Sequence, residues 1–425
     1  MIRAVLDLFP ESAVFADGGL EIGGVRATEL ADEFGTPLVA YCEQTLRAQA
    51  RAYRRAAPDA LVVYGSKAFP NLALLRLFAE EGLGADVSTL GELELARRAG
   101  ISAERLVVHG NNKSDEELRA AAEAEAALVV LDAPDEVERA AEAGVRRVLV
   151  RVTAGIEADT HESIRTGHHG SKFGLPPEDA LDALRRAQAV GLEAAGLHVH
   201  IGSQLLDTQA ARMTVEWLAA FAAACRSELD GWEPAVVDLG GGLGVRHVPD
   251  EDAPTVDEFV GELLRRLERG WELHGLRRPL VVLEPGRSLV GRAGVALYRV
   301  GAVKRAGETT TYVAVDGGMA DNPRPQLYGA RYTAVIADRP EAPPDHAYTV
   351  SGKNCEEEVL VRRVALPEPR RGDVLAIPAA GAYTLAMSSN YNLLPRPAAV
   401  LIADGGARLI RRRETLDDVL ALEEL

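Results

Sequence analysis

The feature of this sequence that most limits its fold is a series of short apolar runs that alternate with helical stretches rich in Ala, Leu, Glu and Arg. Each gap between runs is long enough for one helix, which is the pattern of repeated βα units. The runs are LVVYGSK (61–67), GADVST (84–89), RLVVHG (105–110), ALVVLD (127–132), RRVLVRVT (146–153), GLHVHIGS (196–203), AVVDLGGG (235–242) and LVVLEPGR (280–287). Eight such strands predict a closed parallel barrel, because an open doubly wound sheet more often uses about five to seven strands.

A different pattern follows residue 287, where short alternating runs are separated by Gly, Pro and charged turns. This pattern is typical of antiparallel strands. The early segment SAVFADGGLEIGGV (12–25) has the same character. We therefore predict an α/β barrel of the TIM type over residues 31–289, and a second domain, an antiparallel β-barrel, formed by residues 1–30 and 290–425.

Charge and cysteine content exclude several classes of protein. The net charge of −17 argues against a nucleic-acid partner, whose phosphates would be repelled. Three widely spaced cysteines are too few for a disulfide framework, which favours a reducing compartment. No run approaches the roughly 18 apolar residues of a membrane span, and the N-terminus lacks the pattern of a signal peptide. We expect a soluble, cytoplasmic protein without a membrane partner.

Polar residues end nearly every predicted barrel strand, and in a barrel these ends form the face that carries active sites. Lys67 ends the first strand in YGSKAFPN. A lysine amine desolvated at a barrel mouth suits Schiff-base chemistry, although a lysine taken alone is more often a surface residue. Gly240, Gly241 and Gly242 end the seventh strand, where they could cradle an anion or simply form a tight turn.

Two histidines on the sixth strand leave three interpretations open. His198 and His200 are two residues apart and so point to the same side. With Glu284 of the EPGR turn they could ligate a metal. Alternatively, one imidazole packs on an aromatic cofactor while Glu284 pairs with the ring nitrogen of that cofactor. The third interpretation is that both are core histidines with satisfied hydrogen bonds.

Several later residues carry chemistry that fits either a site or an ordinary structural role. Arg287 and Arg324 suit bidentate capture of a carboxylate or phosphate, but any one arginine is by default a solvated residue. Cys355 is either a buried filler or a proton donor beside Glu356. Tyr383 could pack in a core or contact a cofactor.

Taken together, these motifs resemble the diaminopimelate decarboxylase family, whose members are pyridoxal-phosphate enzymes with an alanine-racemase-like barrel and a β domain. The resemblance extends from Tyr64 to Pro397 and keeps the order of the family's motifs. It rests on YGSKAFPN (64–71), HGNNKS (109–114), RVTAGIEADTHESIRTGHHGSKFG (151–174), HVHIGSQ (198–204), GGGLG (240–244), EPGR (284–287), DGGMADNPRPQLYGA (316–330), GKNCE (352–356) and GAYTLAMSSNYNLLPRP (381–397).

The resemblance implies a role for each candidate residue. Lys67 would hold pyridoxal 5′-phosphate as a Schiff base, Glu284 would face the pyridine nitrogen, and Cys355 would reprotonate the α-carbon. The implied cofactor-binding residues are Lys67, Asp86, His200, Ser203, Gly240, Gly241, Gly242, Glu284, Gly286, Arg287 and Tyr383, with His200 on the ring. The implied substrate-binding residues are Arg287, Arg324 and Tyr328 for the distal carboxylate, Glu356 for the distal ammonium, and Tyr383. No metal is expected.

The implied activity is decarboxylation of meso-2,6-diaminopimelate to L-lysine, the last step of lysine biosynthesis. It would take place in a homodimer with shared sites, because Cys355 and Glu356 serve the partner's site in this family. Two alternatives are a decarboxylase for another amino acid, which could be tethered to a carrier protein, and a non-catalytic homologue that binds pyridoxal phosphate.

The loop after Glu356 departs from the family pattern. The family continues its Cys-Glu pair with Ser-Gly-Asp, whereas Glu357, Glu358 and Val359 follow here in a loop one residue shorter. The added negative charge would favour a distal amine.

Overall fold

Residues 2–156 and 171–424 are described by the computed structural model. Contacts divide the chain into a β unit (Met1–Ala48, Val245–Asp252 and Arg287–Leu425) and a barrel unit (Gln49–Gly244 and Ala253–Gly286). The sequence pattern placed residues 31–48 in the barrel domain. They lie in the β unit instead, because strand Leu38–Cys42 pairs with strands Gly294–Ala306 and Ala398–Ala403 of that unit.

The bounds of the elements are as follows. Strands β1 to β20 are Ala13–Ala16, Gly19–Ile22, Val25–Arg26, Leu38–Cys42, Leu61–Gly65, Gly84–Val87, Leu106–Val108, Leu128–Leu131, Arg147–Arg151, Glu193–His198, Val236–Asp238, Leu280–Leu283, Gly294–Ala306, Thr310–Val315, Val335–Ile336, His346–Ser351, Val361–Leu366, Val374–Ile377, Ala398–Ala403 and Gly406–Arg411. Helices α1 to α13 are Ile2–Leu6, Ala27–Phe34, Glu43–Ala56, Leu72–Glu80, Leu90–Ala99, Asp115–Glu123, Glu136–Glu142, Pro177–Ala189, Gln209–Glu228, Val256–Leu273, Arg287–Val290, Arg324–Tyr328 and Leu416–Leu420. None of these described helices is long and apolar enough to cross a membrane.

The barrel unit confirms the predicted closed parallel barrel. Strands β5 to β12 form it; seven of the eight predicted runs contain one of them, and the sixth run (196–203) overlaps the end of β10, which begins earlier, at Glu193. Closure comes from parallel pairing of the last strand with the first, through Val282 with Leu61 and Leu283 with Val62. Apolar side chains from alternating strand positions fill the interior and exclude water from it: Val63, Val107, Leu128, Val130, Leu149, Ala195, Val236 and Val282.

The β unit contains a nine-stranded sheet built around the long strand β13. Most pairings are antiparallel as predicted, but β14 pairs with β16, and β4 with β19, in parallel. Successive side chains of β13 enter two different cores, because side chains alternate across a strand. Val295 and Leu297 pack in one core, and Ala296 and Tyr298 pack in the other. Strands β1 to β3 form a separate three-stranded sheet of this unit.

A buried ion pair stabilises the barrel wall between β7 and α7. The amine of Lys113 is 2.9 Å from Glu136 Oε2 and donates to the carbonyl oxygens of Gly110 and Val130, at 2.8 and 2.7 Å. The other carboxylate oxygen of Glu136 accepts from the Lys113 N–H. Lys113 therefore belongs to the structural part of the HGNNKS motif and is not accessible for Schiff-base chemistry.

We predict that Lys113→Met lowers the free energy of unfolding by about 3–5 kcal/mol, because Glu136 is left as an unpaired buried charge. Urea unfolding measures the change. Lys304→Met is the matched control, since Lys304 is exposed on β13. Equal stabilities for the two variants would contradict this assignment.

Candidate functional site

Lys67 lies just beyond β5, in a short 3-10 turn formed by Ser66–Ala68. Its amine is 3.0 Å from Asp86 Oδ2 at the end of the neighbouring strand β6. The Lys67 side chain is 48% exposed, whereas that of Asp86 is 1% exposed. The Ser66 hydroxyl donates to the Asp86 carbonyl at 2.8 Å and ties the two strand ends together. An amine at the barrel mouth is thus oriented by a buried carboxylate and is still accessible.

Glu284, just after β12, is the centre of a buried polar cluster in the barrel unit. His109 Nε2, just after β7, contacts Glu284 Oε1, and His198 Nε2 lies 3.7 Å from Glu284 Oε2. The His109 and His198 rings meet edge to face, with centroids 4.8 Å apart. Asp238, at the end of β11, is fully buried in the same cluster. Four strand ends therefore bring four titratable groups together out of water.

The pKa values of the groups in this cluster are shifted in different directions. Burial alone would raise the pKa of Glu284, but contacts with His109 and His198 hold that pKa well below its usual value. Burial and the Glu284 charge raise the pKa of Asp238 well above its usual value. Burial lowers the pKa of His198 to about 3. Within the cluster, Glu284 thus favours the ionised form, Asp238 is the carboxyl that more readily holds a proton, and His198 is neutral at neutral pH.

The glycine run after β11 lies against Glu284 and His200. Gly240 has a φ of +65°, and a Cβ there would be 2.5 Å from His200 Nδ1. A Cβ on Gly241 would be 2.3 Å from the Glu284 carbonyl oxygen, and one on Gly242 would be 2.9 Å from that of Gly202. Side chains larger than that of glycine are therefore excluded from these three positions. Asp238 Oδ1 accepts from the Gly240 N–H at 2.8 Å, so the loop is anchored to the Glu284 cluster.

His200 is held beside this loop in its neutral form. Its Nδ1 accepts from the Gly241 N–H at 3.5 Å, and burial lowers its pKa well below the usual value. The rings of His198 and His200 are stacked, with centroids 6.4 Å apart. Ser203 is half-buried in the turn that follows, and Gly286 is buried after Glu284.

The β unit contains a second cluster, built from arginine and aromatic side chains. The Arg287 guanidinium lies over the Tyr383 ring, 4.7 Å from its centroid. Arg324 contacts the Tyr332 hydroxyl and is 3.0 Å from His247 Nε2. Burial and the charge of Arg324 lower the pKa of Arg287 to about 10. Two buried guanidinium groups that repel each other create a strong preference for an anion.

Within the β unit, Tyr328 and Cys355 lie on the segments that the sequence singled out. The Tyr328 hydroxyl is 3.8 Å from Met387 Sδ. Cys355 is exposed, and its N–H donates to Asn392 Oδ1 at 3.0 Å. Glu356 accepts from the Tyr391 hydroxyl at 2.6 Å.

The expectation that both Glu357 and Glu358 add charge to the substrate surface needs one correction. Glu358 is buried, with its carboxylate turned toward backbone N–H groups, whereas Glu357 is exposed. The part of the RVTAGIEADTHESIRTGHHGSKFG motif formed by residues 157–170 lies outside the described residues.

The metal interpretation of the sequence paired His198 with His200. The structure instead groups His198 with His109, Asp238 and Glu284, whose potential ligand atoms lie within 4.8 Å of one another. His109 Nε2 and Glu284 Oε1 are in direct contact as a histidine–carboxylate pair. That no metal takes part stays a prediction.

Comparisons with known proteins agree with the resemblance seen in the sequence. Residues 43–291 match the model of the pyridoxal-dependent decarboxylase family, pyridoxal binding domain. A diaminopimelate decarboxylase from Actinosynnema pretiosum subsp. auranticum is 43% identical, over 98% of this chain and 95% of that protein. One from Bacillus subtilis (strain 168) is 40% identical, over 96% and 95%. This chain belongs to the diaminopimelate decarboxylase family.

Solved structures of the family have the same architecture. The crystal structure of diaminopimelate decarboxylase from M. jannaschii matches with a TM-score of 0.91 and 33% identity, covering 98% of both chains. A second structure of that protein, in complex with L-lysine, matches equally well. Family membership implies pyridoxal 5′-phosphate as the cofactor.

The barrel unit of this diaminopimelate decarboxylase family member fits that cofactor. Lys67 offers an accessible amine for an aldehyde, and ionised Glu284 suits a pyridine nitrogen that carries a proton. The glycine run carries no side chains, since any Cβ would collide with His200, Glu284 or Gly202, so a phosphate would meet backbone there.

Sequence reasoning missed the roles of His109, Asp238, His247 and Tyr332 in these two clusters. His109 ends a predicted barrel strand and begins the HGNNKS motif, and this position could have indicated a site residue. His247 and Tyr332 carried none, since each lies outside regular structure and meets Arg324 only through the fold.

We predict that His109→Leu weakens pyridoxal-phosphate binding about ten- to a hundredfold. A hydrogen bond to a charged group contributes about 1.5–3 kcal/mol, and without it the Glu284 carboxylate takes up a proton. Cofactor titration followed by absorbance measures the affinity. His109→Gln keeps an N–H donor at the same reach and is expected to bind within about threefold of the wild type. Equal losses in the two variants would show that only packing is involved.

Proposed function

We propose that this chain decarboxylates meso-2,6-diaminopimelate to L-lysine and carbon dioxide with pyridoxal 5′-phosphate as the cofactor. The observation that carries the proposal is the buried carboxylate of Glu284, whose pKa is held low so that it is ionised. Glu284 directly follows β12, which pairs with β5, the strand before Lys67. A carboxylate kept charged without solvent needs a cationic partner, and a protonated pyridine nitrogen is one. Membership of the diaminopimelate decarboxylase family supports the choice of substrate.

The barrel residues would hold the cofactor. Lys67 would offer its amine to the cofactor aldehyde, and Asp86 orients that amine. The loop of Gly240 to Gly242, together with Ser203 and Gly286, would bind the phosphate, and neutral His200 would pack on the ring. Glu284 would keep a proton on the pyridine nitrogen. The bound cofactor supplies an electron sink for the pair left on the α-carbon when carbon dioxide departs.

Residues of the β unit would bind substrate and supply a proton. Arg287 and Arg324 would pair with the distal carboxylate, whose charge offsets the repulsion between these two buried guanidinium groups, and Tyr328 and Tyr383 would contact the bound molecule. Glu356 pairs with the distal ammonium. After the bond to the departing carboxylate breaks, the Cys355 thiol transfers its proton to the α-carbon. The thiolate then recovers a proton from water, so the reaction needs no oxidant or reductant.

We predict that kcat/KM for meso-diaminopimelate exceeds that for lysine or ornithine by at least about a hundredfold, because lysine and ornithine have no second carboxylate for the buried arginines to bind. Carbon dioxide release with the three substrates measures the ratio. Lys67→Ala is the control without the cofactor-binding amine and is expected to release none.

Equal or better values for lysine or ornithine would contradict this substrate assignment. Such a result would favour a decarboxylase for another amino acid. Cofactor binding without carbon dioxide release from any amino acid would favour the non-catalytic alternative.

We also propose that the enzyme works as a cytoplasmic homodimer in which Cys355 and Glu356 serve the partner's site. The exposed loop that carries both residues and the free thiol of Cys355 support this arrangement, because the thiol must stay reduced to donate a proton.

Mixing Lys67→Ala subunits with Cys355→Ala subunits tests the shared site. Random exchange makes roughly half of the dimers mixed, each with one intact site, so we predict that about a quarter of wild-type activity returns. Each variant alone is the control. No recovery after subunit exchange has been verified by mass spectrometry would place both residues in the same chain's site.

A further inference from the structure

Glu358 ends the loop that carries Cys355 and Glu356, and it is the buried member of three consecutive glutamates. It is 3% exposed, whereas Glu356 and Glu357 are exposed. Its Oε1 atom accepts from the Asn354 N–H at 2.7 Å, and its Oε2 atom accepts from the Met319 N–H. One carboxylate thus satisfies backbone donors from two separate segments of the β unit.

Two glycines make room for this carboxylate. A Cβ on Gly318 would be 2.5 Å from Glu358 Oε1, and a Cβ on Gly352 would be 2.2 Å from the same atom and 2.5 Å from Gly318 Cα. Neither glycine has a positive φ, so close packing around the carboxylate, rather than backbone conformation, requires glycine here. The glycines of DGGM and SGKN therefore form a slot shaped for one acidic side chain.

The two segments joined by Glu358 both carry proposed site residues. Met319 precedes α12, the helix that begins at Arg324, and Asn354 directly precedes Cys355. The far side of the Cys355 loop is held by Asn392, and Glu356 is held by the Tyr391 hydroxyl. The loop is therefore fixed on both sides, with Glu358 at its base.

We propose that Glu358 is a positioning residue, whose carboxylate ties residues 352–358 to residues 317–320 and thereby sets the position of the Cys355 thiol. The inference rests on the proposed function, in which that thiol delivers a proton to the α-carbon. A carboxylate is required because it offers one acceptor to each of the two N–H groups. A glutamine amide offers only one acceptor, and an aspartate is one methylene shorter.

The test compares Glu358→Gln and Glu358→Asp with Glu357→Gln, which removes the same charge from the exposed neighbour. We expect both Glu358 variants to lower kcat at least tenfold, with cofactor absorbance and content unchanged. We expect the rate of Cys355 alkylation by iodoacetamide, followed by peptide mass spectrometry, to change at least threefold. Glu357→Gln is expected to keep the wild-type cofactor content and a Cys355 alkylation rate within twofold of that of the wild type.

Gly352→Ala provides a second way to disturb the slot without changing Glu358. Its Cβ would overlap the carboxylate, so we expect the same change in Cys355 alkylation. Gly301→Ala is the matched control, because the nearest atom to its added Cβ is 3.6 Å away.

Wild-type alkylation and kcat in folded Glu358→Gln, Glu358→Asp and Gly352→Ala would overturn the proposal. If Glu358→Gln fails to fold, kcat and the Cys355 alkylation rate of Glu358→Asp and Gly352→Ala test the proposal instead. If the wild-type enzyme does not act on diaminopimelate, the proposed function fails, while the alkylation rates still decide whether Glu358 positions Cys355.

Discussion

Parallel pairing of β12 with β5 is the constraint on which the geometry of the barrel site depends. This pairing joins the last barrel strand to the first, although more than two hundred residues separate Leu61 from Val282 along the chain. Parallel strands place their carboxyl ends on one face, so closure brings the ends of β5, β6, β7, β10, β11 and β12 to neighbouring positions. Lys67 and Glu284 consequently follow adjacent strands.

Closure also creates an electrostatic problem, because it buries several titratable side chains together. A buried carboxylate is costly unless it is paired or hydrogen-bonded. In the barrel, His109 and His198 surround Glu284, and the raised pKa of Asp238 makes that carboxyl easier to protonate. The same arrangement anchors the glycine run, since Asp238 accepts from Gly240. Charge and loop shape in this site are thus consequences of one buried network.

The β unit uses a different principle, because its candidate residues lie on loops and short helices. Such segments need side-chain contacts to hold them in place. Tyr332 and His247 hold Arg324, the Tyr383 ring lies under Arg287, and Glu358 binds the base of the Cys355 loop. These side-chain contacts fix the positions of loop residues in the β unit, whereas strand pairing fixes the positions of site residues in the barrel.

The sequence by itself determined the barrel and its eight strands, and it singled out Lys67, Glu284 and the glycine run as candidate site residues. These features depend on local chemistry: apolar runs of strand length, a polar residue where each run ends, and glycines where a side chain would collide. Only the tertiary structure decided which groups meet. Closure and strand register bring His109, rather than His200, to Glu284, and no local pattern encodes a contact between strands so far apart in the chain. Likewise, Glu357 and Glu358 are identical in sequence, and only the slot between Gly318 and Gly352 decides that one is buried and the other faces water.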